Sequence, residues 1–190
     1  GSYTVEYTDG NGCKATSAAT TVTVNALPAA PTITAGGPTT FCDGESVVLT
    51  SSEPTGNVWS NGETTQAITV TTAGSYTVEY TDGNGCKATS AATTVTVNAL
   101  PVAAVNSETI CAGDPAVTFI ATSATAVGWL WSENGTGTLQ NTSGTTAGNY
   151  TVVVTDANGC ESAPATGVLT VNTLPVATLI DTNAAICNGA

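Results

Sequence analysis

Six cysteines are the residues of this chain whose type and spacing most invite chemistry, and they fall at two recurring positions. Cys42, Cys111 and Cys187 each stand ahead of the second strand-like run of a repeat, whereas Cys13, Cys86 and Cys160 each follow an Asp-x-Asn-Gly turn near its end. No histidine or methionine accompanies them. Cysteines spaced in this way read as oxidised bridges of an extracellular protein.

Other chemistry has little to work with. Without histidine, and with Lys14 and Lys87 as the only cations, no base is available to activate a Ser or Thr nucleophile, so an enzyme is not expected. Glu53, Glu63 and Glu133 read as solvated loop charge. An isopeptide cross-link would need a buried lysine, but Lys14 and Lys87 directly follow the turn cysteine and become Glu161 in the third copy. Gln66 and Gln140 occupy matching positions, as a Thr-Gln ester would require, yet no histidine is there to assist.

Asp9, Asp82 and Asp156 each precede an Asn by two residues, a carboxylate and amide pair that suggests a calcium site, with Asp43, Glu45 and Asp114 as further oxygens. The pattern matches only the first part of an EF-hand loop. Turn chemistry accounts for it as well, since Asp caps the turn and Asn-Gly accepts positive φ. No cofactor is therefore expected, with calcium as the alternative.

The elements that position these residues come from a repeat. Residues 1–28 return unchanged at 74–101, and a diverged copy runs over 148–175, so the starts fall 73 and then 74 residues apart. That period is the size of a small domain. The expected division is the back part of a repeat at 1–27, whole repeats at 28–99 and 100–173, and the front of another at 174–190. Each whole unit is small enough to need a supplement to its core.

Within a repeat, apolar residues alternate over short runs and no helical period persists. Tyr3, Val5 and Tyr7 share one face of a strand, and Gly10-Asn11-Gly12 turns the chain back, giving a hairpin. Runs at 46–52, 66–71 and 127–132 follow the same period. Trp59 and Trp131 recur at one strand position, where a sandwich sets its central aromatic, with Tyr76 and Tyr150 as further core. Trp129, whose counterpart is Asn57, is the one aromatic singled out for contact.

With 14 acids against two cations, the formal charge is −12, which makes nucleic acid and anionic membranes poor partners. No window is apolar over 18 residues, so no membrane insertion is expected in this segment.

Short, evenly spaced strands with one tryptophan per unit resemble an immunoglobulin-like or PKD-like β-sandwich, so the fold class is all-β with tandem sandwich domains. The stretches WSNGETTQAITVTTAGSYTVEYTDGNGC and CAGDPAVTFIATS are similar to the Ig-like repeats of giant cell-surface and gliding-associated adhesins of the Bacteroidetes, exported by type IX secretion. The resemblance implies an extracellular or cell-surface location and a structural stalk or filament for adhesion or gliding. It implies neighbouring repeats, other copies in a filament and a surface polysaccharide as partners. The alternative is a set of carbohydrate-binding accessory repeats in a secreted multidomain enzyme.

The sandwich also bears on the cysteines. Pairing within a repeat would join Cys42 to Cys86 and Cys111 to Cys160, stapling each core. The start of the second strand and the last hairpin turn, however, lie at opposite ends of a sandwich, about 24 Å apart for a seven-residue strand. A disulfide needs Cα atoms within about 7 Å. Strand order therefore favours a bridge from Cys42 to Cys160 across repeats, with the within-repeat staples as the alternative.

Overall fold

The computed structural model describes residues 1–178, so Cys187 and the end of the last partial repeat lie outside the described residues. The chain divides into two compact units, Gly1–Val97 and Asn98–Ala190. Among the described residues every regular element is a strand, and no helix is long and apolar enough to cross a membrane.

The first unit begins with the hairpin that the sequence repeats. Strands β1 (Ser2–Tyr3) and β4 (Thr20–Thr21) pair antiparallel, as do β2 (Glu6–Thr8) and β3 (Lys14–Thr16). Asp9-Gly10-Asn11-Gly12 makes the reversal, with Gly12 at φ 82°, a backbone that glycine adopts without steric cost.

The whole repeat of this unit runs through β5 (Ile33–Ala35), β6 (Thr40–Cys42), β7 (Val47–Ser51), β8 (Asn57–Trp59), β9 (Ala67–Val70), β10 (Gly74–Tyr76), β11 (Val78–Thr81), β12 (Lys87–Thr89) and β13 (Thr93–Asn98). One sheet is ordered β5-β7-β9. Facing it, β6 and β10 flank β13, while β8 and β12 flank β11. Alternation decides which side chains turn inward: Val47 and Leu49 of β7, and Ile68 and Val70 of β9, are buried while their neighbours are not. They pack with Phe41, Trp59, Tyr76, Val78 and Val95 in one core.

The second unit repeats the plan with longer strands: β14 (Ala104–Val105), β15 (Glu108–Cys111), β16 (Val117–Thr122), β17 (Ala126–Glu133), β18 (Asn141–Gly144), β19 (Gly148–Asp156) and β20 (Ala165–Asn172). A three-stranded sheet, β14-β16-β18, faces a four-stranded one, β15-β20-β19-β17. The result in each unit is a β-sandwich. Its second core gathers Ile110, Phe119, Ala121, Trp131, Tyr150, Val152, Val154 and Leu169. Phe119 and Tyr150 stack with ring centroids 4.0 Å apart.

One strand differs from expectation. The residues leading up to the first cysteine of each unit, ahead of the second run read from the sequence, form a strand of their own, β6 and β15. In the second unit β15 joins the larger sheet by parallel pairing with β20, placing Cys111 opposite Asn172. The chain thus leaves one sheet after β14 and enters the other at β15. This crossing decides where the cysteines lie.

Candidate functional site: cysteines in acid-closed turns

Every described cysteine sits in a turn closed by the carboxylate of a nearby acid. At the hairpin position, the backbone N–H groups of Cys13, Cys86 and Cys160 donate to Oδ1 of Asp9, Asp82 and Asp156 at 2.8, 2.8 and 2.9 Å. The same oxygens accept from the N–H of Asn11, Asn84 and Asn158. At the strand position, Cys42 N–H donates to Glu45 Oε2 at 3.0 Å and Cys111 N–H to Asp114 Oδ2 at 2.8 Å. Here Glu45 and Asp114 return their own N–H to the cysteine carbonyls, and Gly44 and Gly113 take φ near 94° and 93°.

Of the acids weighed as calcium ligands, Asp9, Asp82, Asp156, Glu45 and Asp114 are engaged within their own turns. Asp43 belongs to the same turn as Glu45 in sequence but makes no comparable bond to a cysteine among the described contacts. No group of three or more Cys, Asp, Glu or His side chains with metal-binding proximity occurs among the described residues. Asp156 is held below the usual carboxylate value, chiefly by the N–H of Cys160 and, with smaller weight, by Asn158 and Gly159, against an opposing effect of burial.

The two positions are at opposite ends of the sandwich. Cys111 lies at the register of Asn172, the last residue of β20, whereas Cys160 lies in the turn before Ala165, its first. An eight-residue strand separates them by about 26 Å, far beyond disulfide reach. Cys86 and Cys111 carry free thiols, as does Cys13, so neither within-repeat staple is formed. Cys42 and Cys160 are disulfide-bonded. Exposure differs along the hairpin position: Cys13 is exposed, Cys86 half-buried and Cys160 fully buried.

Trp59, Trp131, Tyr76 and Tyr150 are part of the cores. Trp59 and Trp131 are 2% and 4% exposed, and their Nε1–H groups donate to Thr65 and Leu139 carbonyls at 2.9 Å each. The hydroxyls of Tyr76 and Tyr150 donate to the carbonyls of Thr72 and Thr146, closing the bend before each following strand. Trp129 is half-buried and packs against the second core, with its Nε1 buried and unpartnered.

Lys14 and Lys87 form exposed cross-strand ion pairs with Glu6 and Glu79, at 2.7 and 2.6 Å. Gln66 and Gln140 each hold the carbonyl of a neighbouring strand, Ser51 and Ala121. Sequence reasoning missed the closing role of Glu45 and Asp114. The signal was there as a Cys-x-Gly-acid spacing, CDGE and CAGD.

No family model matches the chain, and no curated protein matches it. Among solved structures it is similar to the fibronectin(III)-like modules of Clostridium thermocellum CbhA, with 15% identity, 74% of this chain and 94% of that one covered, and a TM-score of 0.37. It is also similar to three N-terminal domains of the bacteriophage RB49 Highly Immunogenic Outer Capsid protein, at 18% identity over 75% of this chain and 59% of that one, TM-score 0.37. A third is a Bacteroides ovatus SGBP-B solved with a mixed-linkage heptasaccharide, at 14% identity over 90% of this chain and 53% of that one, TM-score 0.25. At these scores the likeness carries no functional argument. The sandwich assignment rests on the sheets themselves.

Proposed function

We propose that this chain is a structural repeat segment of a long extracellular bacterial surface protein, a disulfide-stabilised stalk or filament that serves adhesion or gliding. One observation carries the reading: the second sandwich has its two cysteine positions at opposite ends, fixed in acid-closed turns, an arrangement that suits bridges between units. Bonded Cys42 and Cys160 fit an oxidising compartment, which supports an extracellular location. The sequence resemblance to Bacteroidetes surface adhesins points the same way. The proposed bridge is Cys42 to Cys160, repeated along a longer array, and no catalysis or cofactor belongs to this reading.

The composition makes the test simple. Trypsin can cut only after Lys14 and Lys87, giving fragments 1–14, 15–87 and 88–190. Cys42 and Cys86 fall on the middle fragment and Cys111, Cys160 and Cys187 on the last. After free thiols are alkylated and the chain is denatured and digested, the two larger fragments are expected to remain joined until reductant is added. Separation without reductant, with Cys42 and Cys86 bridged inside the middle fragment, would overturn the proposal.

A further inference from the structure

Asn-Gly pairs stand at 11–12, 61–62, 84–85, 134–135 and 158–159 among the described residues. In such a pair the glycine nitrogen can approach the asparagine side-chain carbonyl carbon with no Cβ in its way. That nitrogen is held alike at every pair. The N–H groups of Gly12, Gly62, Gly85, Gly135 and Gly159 donate to the carbonyls of Asp9, Trp59, Asp82, Ser132 and Asp156, at 2.8 to 3.2 Å. Differences between the pairs therefore lie in the asparagine side chains.

Asn61 is held at both ends of its amide: Oδ1 accepts from Glu63 N–H at 3.1 Å, and Nδ2 donates to Glu63 Oε1 at 2.9 Å. Asn134 donates Nδ2 to the Asn149 carbonyl at 3.1 Å, and Gly135 beside it is enclosed, since a Cβ there would meet Thr142 at 3.1 Å and Trp131 at 3.2 Å. Asn158 donates Nδ2 to Asp156 Oδ2 at 3.3 Å. Asn11 and Asn84 are bonded only through the main chain, their N–H groups donating to Oδ1 of Asp9 and Asp82. Both are exposed, and a Cβ built on Gly10, Gly12, Gly83 or Gly85 would meet nothing within 4 Å. Asp9 and Asp82, which also precede a glycine, are fixed by the two N–H groups that each Oδ1 receives.

We propose that Asn11 and Asn84 are self-modification sites, at which the folded chain converts asparagine to aspartate and isoaspartate. Gly85 N gives its proton to solvent and bonds to Asn84 Cγ. The Cγ–Nδ2 bond then breaks, and Nδ2 leaves with a proton as ammonia, so that the side chain and main chain close into a cyclic imide. Water adds to either imide carbonyl and opens the ring, toward aspartate or toward isoaspartate. One water is consumed and one ammonia released, with no change of oxidation state. Each product adds a carboxylate to the turn. Isoaspartate also lengthens the main chain between Asp82 and Cys86 by one carbon, which displaces the Cys86 N–H that Asp82 Oδ1 now holds. The modification thus acts on the turn that sets the cysteine, and it stands independently of how the cysteines pair.

Ageing the full chain at neutral pH in heavy-oxygen water tests this, because each conversion leaves one heavy oxygen at the site. Reduction, digestion and electron-transfer fragmentation then place the label and tell isoaspartate from aspartate. In the folded chain Asn11 and Asn84 should be labelled at similar rates. Asn134 and Asn158, each of which must first give up a side-chain hydrogen bond, should be slower by roughly fivefold, and Asn61 slower still. In denaturant with reductant the spread should vanish, since all five are Asn-Gly pairs without their restraints. Labelling of Asn61, Asn134 or Asn158 as fast as Asn84 in the folded chain overturns the proposal. So does a folded chain in which Asn11 and Asn84 stay unlabelled while the unfolded chain reacts, or a spread that persists on unfolding.

Discussion

Ser51 Oγ donates a hydrogen bond to Asn57 Oδ1 across 2.8 Å in the buried interior of the first unit, and the matching places in the second unit are Ala121 and Trp129. The correspondence is fixed by contacts: Ser51 and Ala121 both donate N–H to the carbonyl of the repeat glutamine, and Asn57 and Trp129 both lie opposite the equivalent residue of the next strand. A polar pair has been exchanged for an apolar one, both members together.

Breaking the pair on one side should therefore cost more than replacing both. Ser51→Ala leaves Asn57 Oδ1 buried without its donor and is expected to destabilise the first unit by about 1–3 kcal/mol. The double change Ser51→Ala with Asn57→Trp should lose less than the sum of the single changes. Denaturant melting of the four proteins gives the coupling energy, and additive losses would show that the two sites are independent.

Asp156 makes the second unit sensitive to acid. Its carboxyl is held below the ordinary value by the N–H of Cys160, so the folded state favours the ionised form. The stability it contributes is complete above the unfolded value of about 3.9 and is lost as pH falls through the lower folded value. In Asp156→Asn, whose side-chain oxygen can still accept from Cys160 but does not ionise, this part of the acid dependence should vanish. Melting temperatures of the second unit across pH 2 to about 6 would test this, and unchanged acid dependence would count against it.

Thiol reactivity should follow exposure. Cys13 and Cys111 are exposed free thiols and Cys86 is a half-buried one, so iodoacetamide on the native chain should label the first two faster. Cys42 and Cys160 should take no label until the chain is reduced. After reduction, fragments 1–14, 15–87 and 88–190 carry Cys13, Cys86 and Cys111 separately, and their fragment ions tell Cys86 from Cys42 and Cys111 from Cys160 and Cys187. Fast native labelling on Cys42 would contradict the bonded state.

Gly56 tolerates no side chain. At φ 76° it lies where L residues are strained, and an added Cβ would meet the Thr81 carbonyl oxygen at 2.6 Å, while Thr81 N–H donates to the Gly56 carbonyl. Gly56→Ala should destabilise the first unit by about 1–3 kcal/mol. A melt within error of the parent would refute this.

Much of the architecture was legible because strands announce themselves by alternation. Val47 and Leu49, and Ile68 and Val70, point inward as their period requires. The tryptophan position was legible from recurrence. The pairing of β15 with β20 was not, because a parallel partner more than fifty residues away leaves no trace in the four residues Glu108–Cys111. Nor was the bond between Ser51 and Asn57, since a serine on an inward position reads locally as a surface residue until its partner is found. The turn acids were visible as residues but ambiguous as chemistry, because a carboxylate beside a cysteine serves a turn and a cation equally well on paper.

The parallel pairing also fixes how this sandwich would respond to tension. β15 lies near the entry of the second unit and β20 at its exit, side by side and running the same way. Pulling the chain from its two ends drives these neighbours past each other along their length, so the bonds between them are sheared together. An antiparallel terminal pair pulled at one end would instead open one bond at a time. The sheet is thus arranged to resist extension as a block, with its weakest direction set across the line of pull.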